Sequence, residues 1–512
     1  ANKALNNAIE KGCLIYNYTG HGGEVGLTAE RVLGIEDINS WSNKDKLALF
    51  ITATCEFSRF DDPGRVSAGE QVLLSTKGGG IGLFTTVRLV YSGQNEILND
   101  MFFRNAGFDS ASQVNPPSLG TVSMKTKNAY LNKNTRNFTF LGDPFLSLAY
   151  PRNRIIPVSV NGKPFESFSD TLKALEKVTI TGIVTDRLGN VLTDFNGEVF
   201  PLLLDKAETY KTLVNNPAQS YLMEFAMQNN VLYRGRATVS NGNFSFSFII
   251  PKDISYQYGL GKFSAYAFSS TTDATGFNKS LVVGGTGDSV GLDKNGPVLN
   301  LFMNDEKFVN GGITDENPTF IGKLFDDNGI NTTGRGIGRD LTLVLNNETS
   351  KSIVLNDYYQ ATLNSYQSGE VRYQFRGLSP GKHSLKFRAF DAFNNPAEAS
   401  LDFEVRPQSK PELQHVLNYP NPFTRNTVFH FDHNQAGQMI SVLIQVFTVT
   451  GQLVKTLNWE GVATGNHFQE LSWNGNDDYG DRIGTGVYVY KVRLKSTADK
   501  PAEQFQKLVI FN

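Results

Sequence analysis

An α/β segment followed by all-β modules is the architecture that this sequence predicts, on three observations. At 512 residues the chain is too long for one hydrophobic core, since a domain usually spans about 100 to 200 residues. Up to Pro151 helical periodicity alternates with continuous apolar runs, the signature of helices packed on buried parallel strands. Beyond Pro151 the runs become short and alternating, bounded by turn residues and rich in Phe and Tyr, as β-sandwich modules are.

In chain order, Ala4, Leu5, Ala8 and Ile9 share one helical face, with Lys11 in the last turn and Gly12 as the stop. Leu14 to Tyr18 reads as a strand, and Leu47 to Thr54 as a second strand covered on both faces. Ser67-Ala68-Gly69-Glu70 fits a capping box before a short helix through Leu74, and Ile81 to Val87 is a third strand. The expected division is 1–151 for the α/β segment, 152–295 and 296–406 for two Ig-like β-sandwich modules, and 407–512 for a last β module. Asn241-Gly242 before Phe244, Phe246 and Phe248 signals a hairpin in the first sandwich. Gly284 to Asp288 with Asn295-Gly296-Pro297 reads as a linker, and Pro407 to Pro411 as a polar hinge. In the last module Pro420-Asn421-Pro422 is expected to open the first strand, and Gly484 to Gly486 to start the final edge strand, with Tyr488, Tyr490, Val492 and Leu494 alternating.

Lys and Arg total 48 against 50 Asp and Glu, a net charge of −2, so no basic footprint for nucleic acid is present. Cys13 and Cys55 are the only cysteines, too few for a disulfide framework, and they leave the compartment open. No apolar run reaches the roughly 18 residues needed to cross a bilayer, and Ala1-Asn2-Lys3-Ala4 does not open a signal peptide. The sequence is therefore expected to continue a preceding N-terminal part of the same protein.

Nucleophilic catalysis by cysteine needs a thiolate, a base that also protonates the leaving amine, and donors for the oxyanion. His21 is the one histidine of the α/β segment, in Thr19-Gly20-His21-Gly22-Gly23, and Cys55 ends the apolar run at Ala53-Thr54-Cys55. Both stand where parallel strands end, the edge at which α/β sheets collect functional groups. The amides of Gly22 and Cys55 are the expected oxyanion donors. For either residue alone the bland reading, a turn histidine or a buried thiol, is open, and Cys13 is left to it. Asp61-Asp62 and the Gly284–Asp288 segment are weighed as calcium ligands against solvated turns. No metal is expected in the catalytic site, and no cofactor is required.

These motifs resemble the caspase-like (clan CD) cysteine peptidases, and the gingipain branch in particular. The likeness rests on the 34 positions between His21 and Cys55, Thr52 to Asp62 with Gly69-Glu70, Gly93-Gln94-Asn95-Glu96 and Leu141-Gly142-Asp143-Pro144. It covers about residues 1–150, the second part of such a domain. It implies attack by Cys55 to form a thioester, proton delivery by His21, and a substrate wall that includes Val87 and Tyr91. No acid stands there to demand a basic side chain.

Residues 413–512 resemble the C-terminal signal domain of type IX secretion, through Asn418 to Phe423, Val446 to Val454, Trp473-Asn474-Gly475 and Gly484 to Tyr490. Together the two resemblances point to the PorU-type sortases of that system. They imply cell-surface residence at the outer membrane, cargo C-terminal signal domains as substrates, a lipopolysaccharide-type acceptor and an outer-membrane β-barrel partner of the PorV type. A secreted gingipain-like endopeptidase that is itself cargo, and an inactive scaffold or adhesin, stay open as alternatives.

Overall fold

Apolar runs long enough to be covered on both faces decide the sheet of the first unit. The computed structural model describes residues 2–107, 116–214, 221–287, 293–334, 338–496 and 500–511, and it divides into two units, Ala1–Arg152 and Asn153–Asn512. The first runs α1 (Asn2–Lys11), β1 (Ile15–Thr19), β2 (Gly22–Gly23), β3 (Gly26–Leu27), β4 (Leu33–Gly34), α2 (Ile35–Ser40), β5 (Ala48–Ala53), α3 (Ala68–Leu74), β6 (Gly80–Thr86), α4 (Ser92–Ala106), α5 (Leu119–Ala129), α6 (Lys133–Arg136) and β7 (Phe138–Gly142). The main sheet has the order β1-β5-β6-β7. β1, β5 and β6 are parallel, and β7 returns antiparallel beside β6.

All six residues of β5 are buried, and their alternation divides two cores. Phe50 packs on one face with Leu27, Trp41, Phe57 and Leu83; Leu49 and Ile51 pack on the other with Phe84, Phe102 and Phe138. Burying each such side chain contributes about 1.5–3 kcal/mol, which fixes β5 in the middle of the unit. Gly12 stops α1 in the left-handed region at φ +95°. At α3 the Glu70 carboxylate accepts the Ser67 amide at 2.8 Å and the Ser67 hydroxyl at 2.7 Å, as the capping motif requires.

The second unit is all β, with three apolar cores drawn from residues 155–283, 303–405 and 416–510. In the first, the 177–185 strand pairs with both 243–249 and 153–160, so its large sheet curls back on itself. Asn241 and Gly242 both take positive φ, +49° and +74°, at the hairpin joining Ala237–Ser240 to Asn243–Ile249. The other two cores lie between paired sheets, of four and five strands and of four and four.

Four readings of the sequence are corrected here. Gly284 to Thr286 belongs to a strand, Val282–Thr286, parallel to Thr171–Ala174, rather than to a linker. A Cβ at Gly284 would meet the Gln257 carbonyl at 2.8 Å, so glycine there serves close packing; Asp288 lies outside the described residues. Pro407 to Pro411 is fastened rather than hinged: Gln408 donates to Glu316 Oε2 at 3.1 Å and to the Ala436 carbonyl at 2.9 Å, and Asn434 Nδ2 donates to the carbonyls of Pro407 and Lys410, each at 2.8 Å. Pro420-Asn421-Pro422 follows the strand Leu413–Tyr419 and turns the chain toward Thr427–His433, with both X-Pro bonds cis. Gly486–Lys495 is an inner strand, because Ala502–Ile510 pairs outside it and forms the edge. No described helix is long and apolar enough to cross a membrane.

Candidate active site

The parallel pairing of β1 with β5 places Thr19 opposite Ala53. That pairing has an offset of 34 residues, the same that separates His21 from Cys55. The Gly20 amide donates to the Ala53 carbonyl at 3.4 Å, which carries the pairing one step past the strands. His21 and Cys55 thus leave adjacent strands at the same level, and neighbouring strands lie about 4.8 Å apart.

Local geometry then turns each chain. Glu56 takes φ +51°, a left-handed conformation uncommon outside glycine, directly after Cys55. Its amide donates to the Arg88 carbonyl at 3.3 Å, and the Ser58 amide to the Thr86 carbonyl at 3.0 Å, so the Cys55 turn folds over the end of β6. Cys55 is half-buried, with Sγ 3.6 Å from the Val90 carbonyl. His21 is exposed, and its carbonyl accepts the Thr28 amide at 2.9 Å and the Tyr18 hydroxyl at 2.7 Å. The Thr28–His21 bond makes Gly22 and Leu27 the wide, non-bonded pair of the β2–β3 ladder. The Gly22 N–H is therefore directed away from β3. A Cβ at Gly22 would stand 2.6 Å from Thr54 Oγ1, so glycine lets the His21 turn lie against the residue before Cys55.

Of the residues expected from sequence, His21, Gly22 and Cys55 come together at this edge. Val87 and Tyr91 border it on the loop between β6 and α4, on either side of the carbonyls of Arg88 and Val90 that meet the Cys55 turn. Val87 is half-buried, with its amide on the Asn137 carbonyl at 2.9 Å; the Tyr91 side chain is 75% exposed. Asp61 is held by Arg88 in a two-bond ion pair of 2.9 and 2.5 Å, which keeps its carboxyl below the ordinary range. Asp62 Oδ1 accepts the Gly64 amide at 2.9 Å. Neither stands in a metal-type group. The described residues that do are Asp293, Asp326 and Asp391 in the second unit, with ligand atoms within 4.8 Å of one another, a hard-oxygen set of the kind that suits calcium. Cys13 is half-buried against the core, and burial pushes its thiol up.

Two positioning devices escape sequence reasoning. Glu24, at the tip of the β2–β3 hairpin, accepts Arg59 Nη1 at 2.8 Å and Arg65 Nη1 at 3.1 Å, and its carbonyl accepts the Ala68 amide at 2.7 Å. It ties the His21 turn to the segment after Cys55. In the second device, buried Asn95 donates to the Ala53 carbonyl at 3.3 Å and accepts Asn134 Nδ2 at 3.0 Å, while Asn134 Oδ1 accepts the Tyr91 amide at 2.7 Å. This relay joins the end of β5 to the loop that carries Val87 and Tyr91. The signal for Glu24 is its place beside the His-Gly-Gly turn; Asn134 lies 39 residues from Asn95 and carries none.

Residues 1–149 match the family described as Peptidase family C25. No curated protein matches the chain. Among solved structures, dimeric latent PorU from Porphyromonas gingivalis is 28% identical, with 85% of this chain and 41% of that chain covered and a TM-score of 0.34. The complex of RgpB pro- and mature domains from the same organism is 14% identical, with 54% and 57% covered and a TM-score of 0.27. The Arg-specific gingipain R, 14% identical, covers 54% and 56% at 0.26. The chain spans less than half the length of the PorU chain it matches. The family match thus falls within the first unit, and β modules follow it.

Proposed function

We propose that the chain is the C-terminal part of a cell-surface transpeptidase that trims C-terminal signal domains from type IX secretion cargo and joins the new terminus to a lipopolysaccharide-type amine. Cys55 Sγ attacks the scissile carbonyl carbon, and the amides of Gly22 and Cys55 receive the developing oxyanion. His21 gives its proton to the departing amine as the C–N bond breaks, leaving a thioester on Cys55. An acceptor amine then attacks the thioester, His21 takes its proton, and Cys55 leaves as the thiolate. Water in place of the amine gives hydrolysis by the same steps.

The observation that carries the catalytic half is the common offset of 34 residues in the β1–β5 pairing and in the His21–Cys55 separation. For the sortase half, the support is the type IX-like tail together with its attachment. Besides the Gln408 and Asn434 bonds, Asn304 Nδ2 meets Asn466 Oδ1 at 2.5 Å. Such fastening favours a retained tail, docked on an outer-membrane β-barrel of the PorV type, over a signal shed from cargo. Chemistry needs no cofactor, and calcium has a structural place at most.

The test incubates the full-length protein with a cargo C-terminal domain and an amine acceptor and analyses the junction by mass spectrometry. An amide-linked acceptor that disappears in Cys55→Ala supports ligation; free carboxylate alone reduces the function to an endopeptidase. Loss of everything after about residue 410 from the mature protein favours the cargo reading instead.

A further inference from the structure

Five of the six histidines lie in the β modules; in the last module two of them meet one carboxylate and a third meets one of those two. Asp432 accepts from Nδ1 of His467 and from Nδ1 of His415, each at 2.8 Å, on its two separate oxygens. Its side chain is 11% exposed, and the two imidazoles are its hydrogen-bond partners. An Nδ1–H given to an ionised carboxylate leaves Nε2 of His467 with its lone pair outward. That Nε2 lies 3.2 Å from Nδ1 of His430.

Two nitrogens bound to one tetrahedral zinc at about 2.0–2.1 Å stand about 3.3 Å apart. The spacing of His430 and His467 therefore fits a shared ion, and Asp432 supplies the carboxylate behind a ligating histidine that orients the ring and raises its basicity. His415 sits at φ +48° where the pairing of the strand Leu413–Tyr419 slips between Gln414 and Leu417. A bulge of that kind re-aims a side chain, and here it sends His415 onto the second oxygen of Asp432. The cluster opens into a groove of about 500 Å³, bordered by Val309, Leu417 and Tyr419. Lys307 opposes a cation beside His430, while the carboxylates of Asp305 and Asp432 lie near His467 with the opposite sign.

We propose that His430 Nδ1 and His467 Nε2, backed by Asp432, bind a divalent transition-metal ion of the zinc type, with its remaining positions open to the groove. This site is independent of the peptidase reading and lies in the other unit.

The experiment uses untagged, chelator-stripped protein in a Cys13→Ser/Cys55→Ala background, so that neither first-unit thiol takes metal. Zn²⁺ alone is titrated near neutral pH by calorimetry, and Co²⁺ absorption reports nitrogen ligation. One equivalent is expected, lost in His430→Ala/His467→Ala. Asp432→Asn, which keeps both rings, should bind about 10- to 100-fold more weakly. Circular dichroism checks that each variant is folded; His430→Gln and His467→Gln, tested singly, replace the double variant if it is not. The same stoichiometry and affinity in the folded double variant, or in both Gln variants, overturns the site, as does absence of Zn²⁺ binding to the parent; these results leave an ordinary His430–His467 hydrogen bond.

Discussion

Replacing Asn95 with Leu tests how the end of β5 and the loop before α4 are held together. The side chain is buried and makes two bonds, to the Ala53 carbonyl and to Asn134. Leu matches its size but leaves one Asn134 donor without a partner and the Ala53 carbonyl with only the Gly20 amide, at 3.4 Å. A buried group left unpaired costs about 1–3 kcal/mol and a lost hydrogen bond about 0.5–1.5 kcal/mol, so the first unit should lose about 2–4 kcal/mol of stability. Asn134→Leu should cost a similar amount, since the Tyr91 amide then loses its acceptor. The double variant counts the bond between the two asparagines only once. Its loss should therefore fall short of the sum by about 1 kcal/mol. Pulsed alkylation of Cys13 across a urea series follows unfolding of this unit without reporting on the β modules. Losses that add within about 0.3–0.5 kcal/mol, or an unchanged midpoint in Asn95→Leu, would refute the relay. Because the relay ends two residues before Cys55 and at Tyr91, kcat/KM should also fall, by about 100-fold if the strand end moves by about 1 Å.

Other outcomes follow from the same geometry. Gly22→Ala sets a Cβ 2.6 Å from Thr54 Oγ1, whereas Gly23→Ala meets nothing within 4 Å; peptide-hydrolysis assays should show at least a tenfold loss of kcat/KM in the first, by displacement of the His21 turn, and near parental values in the second. Glu24→Gln removes the charge shared by Arg59 and Arg65, so proteolytic nicking after Cys55 should quicken; an unchanged nicking rate and kcat/KM would deny it a positioning role. In the folded protein Cys55 should be alkylated faster than Cys13, whose thiol burial pushes up, and equal labelling measured by peptide mapping would count against the assignment. In the second unit, burial and neighbouring carboxylates raise Asp326 to about 6 and Asp391 to about 7. The folded chain then retains protons that the unfolded chain releases from about pH 4 upward, so this contribution to stability falls as pH rises toward 7 and levels off above it. Thermal melts should show a shallower fall over that range in Asp391→Asn, and identical slopes would contradict the assignment.

Much of the first unit was legible because its signals are local. The continuous run at 47–54 could only be a strand covered on both faces, and it became β5; Ser67 with Glu70 announced α3. The positions of His21 and Cys55 followed from the same strands, since each stands just past a strand end. What escaped depended on distant partners. β7 is short and half-buried, and it owes its place to β6. Gly284 and Gly285 look like linker residues until the chain beside them is known, because a glycine chosen for close approach and one chosen for freedom read alike. The strand Ala502–Ile510 hid behind the polar residues of an edge, which displaced Gly486–Lys495 to the interior of the sheet. Glu24 and the Asn95–Asn134 relay carry chemistry only through contacts 35 or more residues away.

A peptide electrophile that mimics the scissile carbonyl tests most directly whether positions 21 and 55 work as one site. With the full-length protein, mass spectrometry should find the adduct on Cys55, formed about 100-fold or more faster than in His21→Ala, the range expected for a positioned acid–base group. An adduct on Cys13, or equal rates with and without the His21 imidazole, would contradict the account.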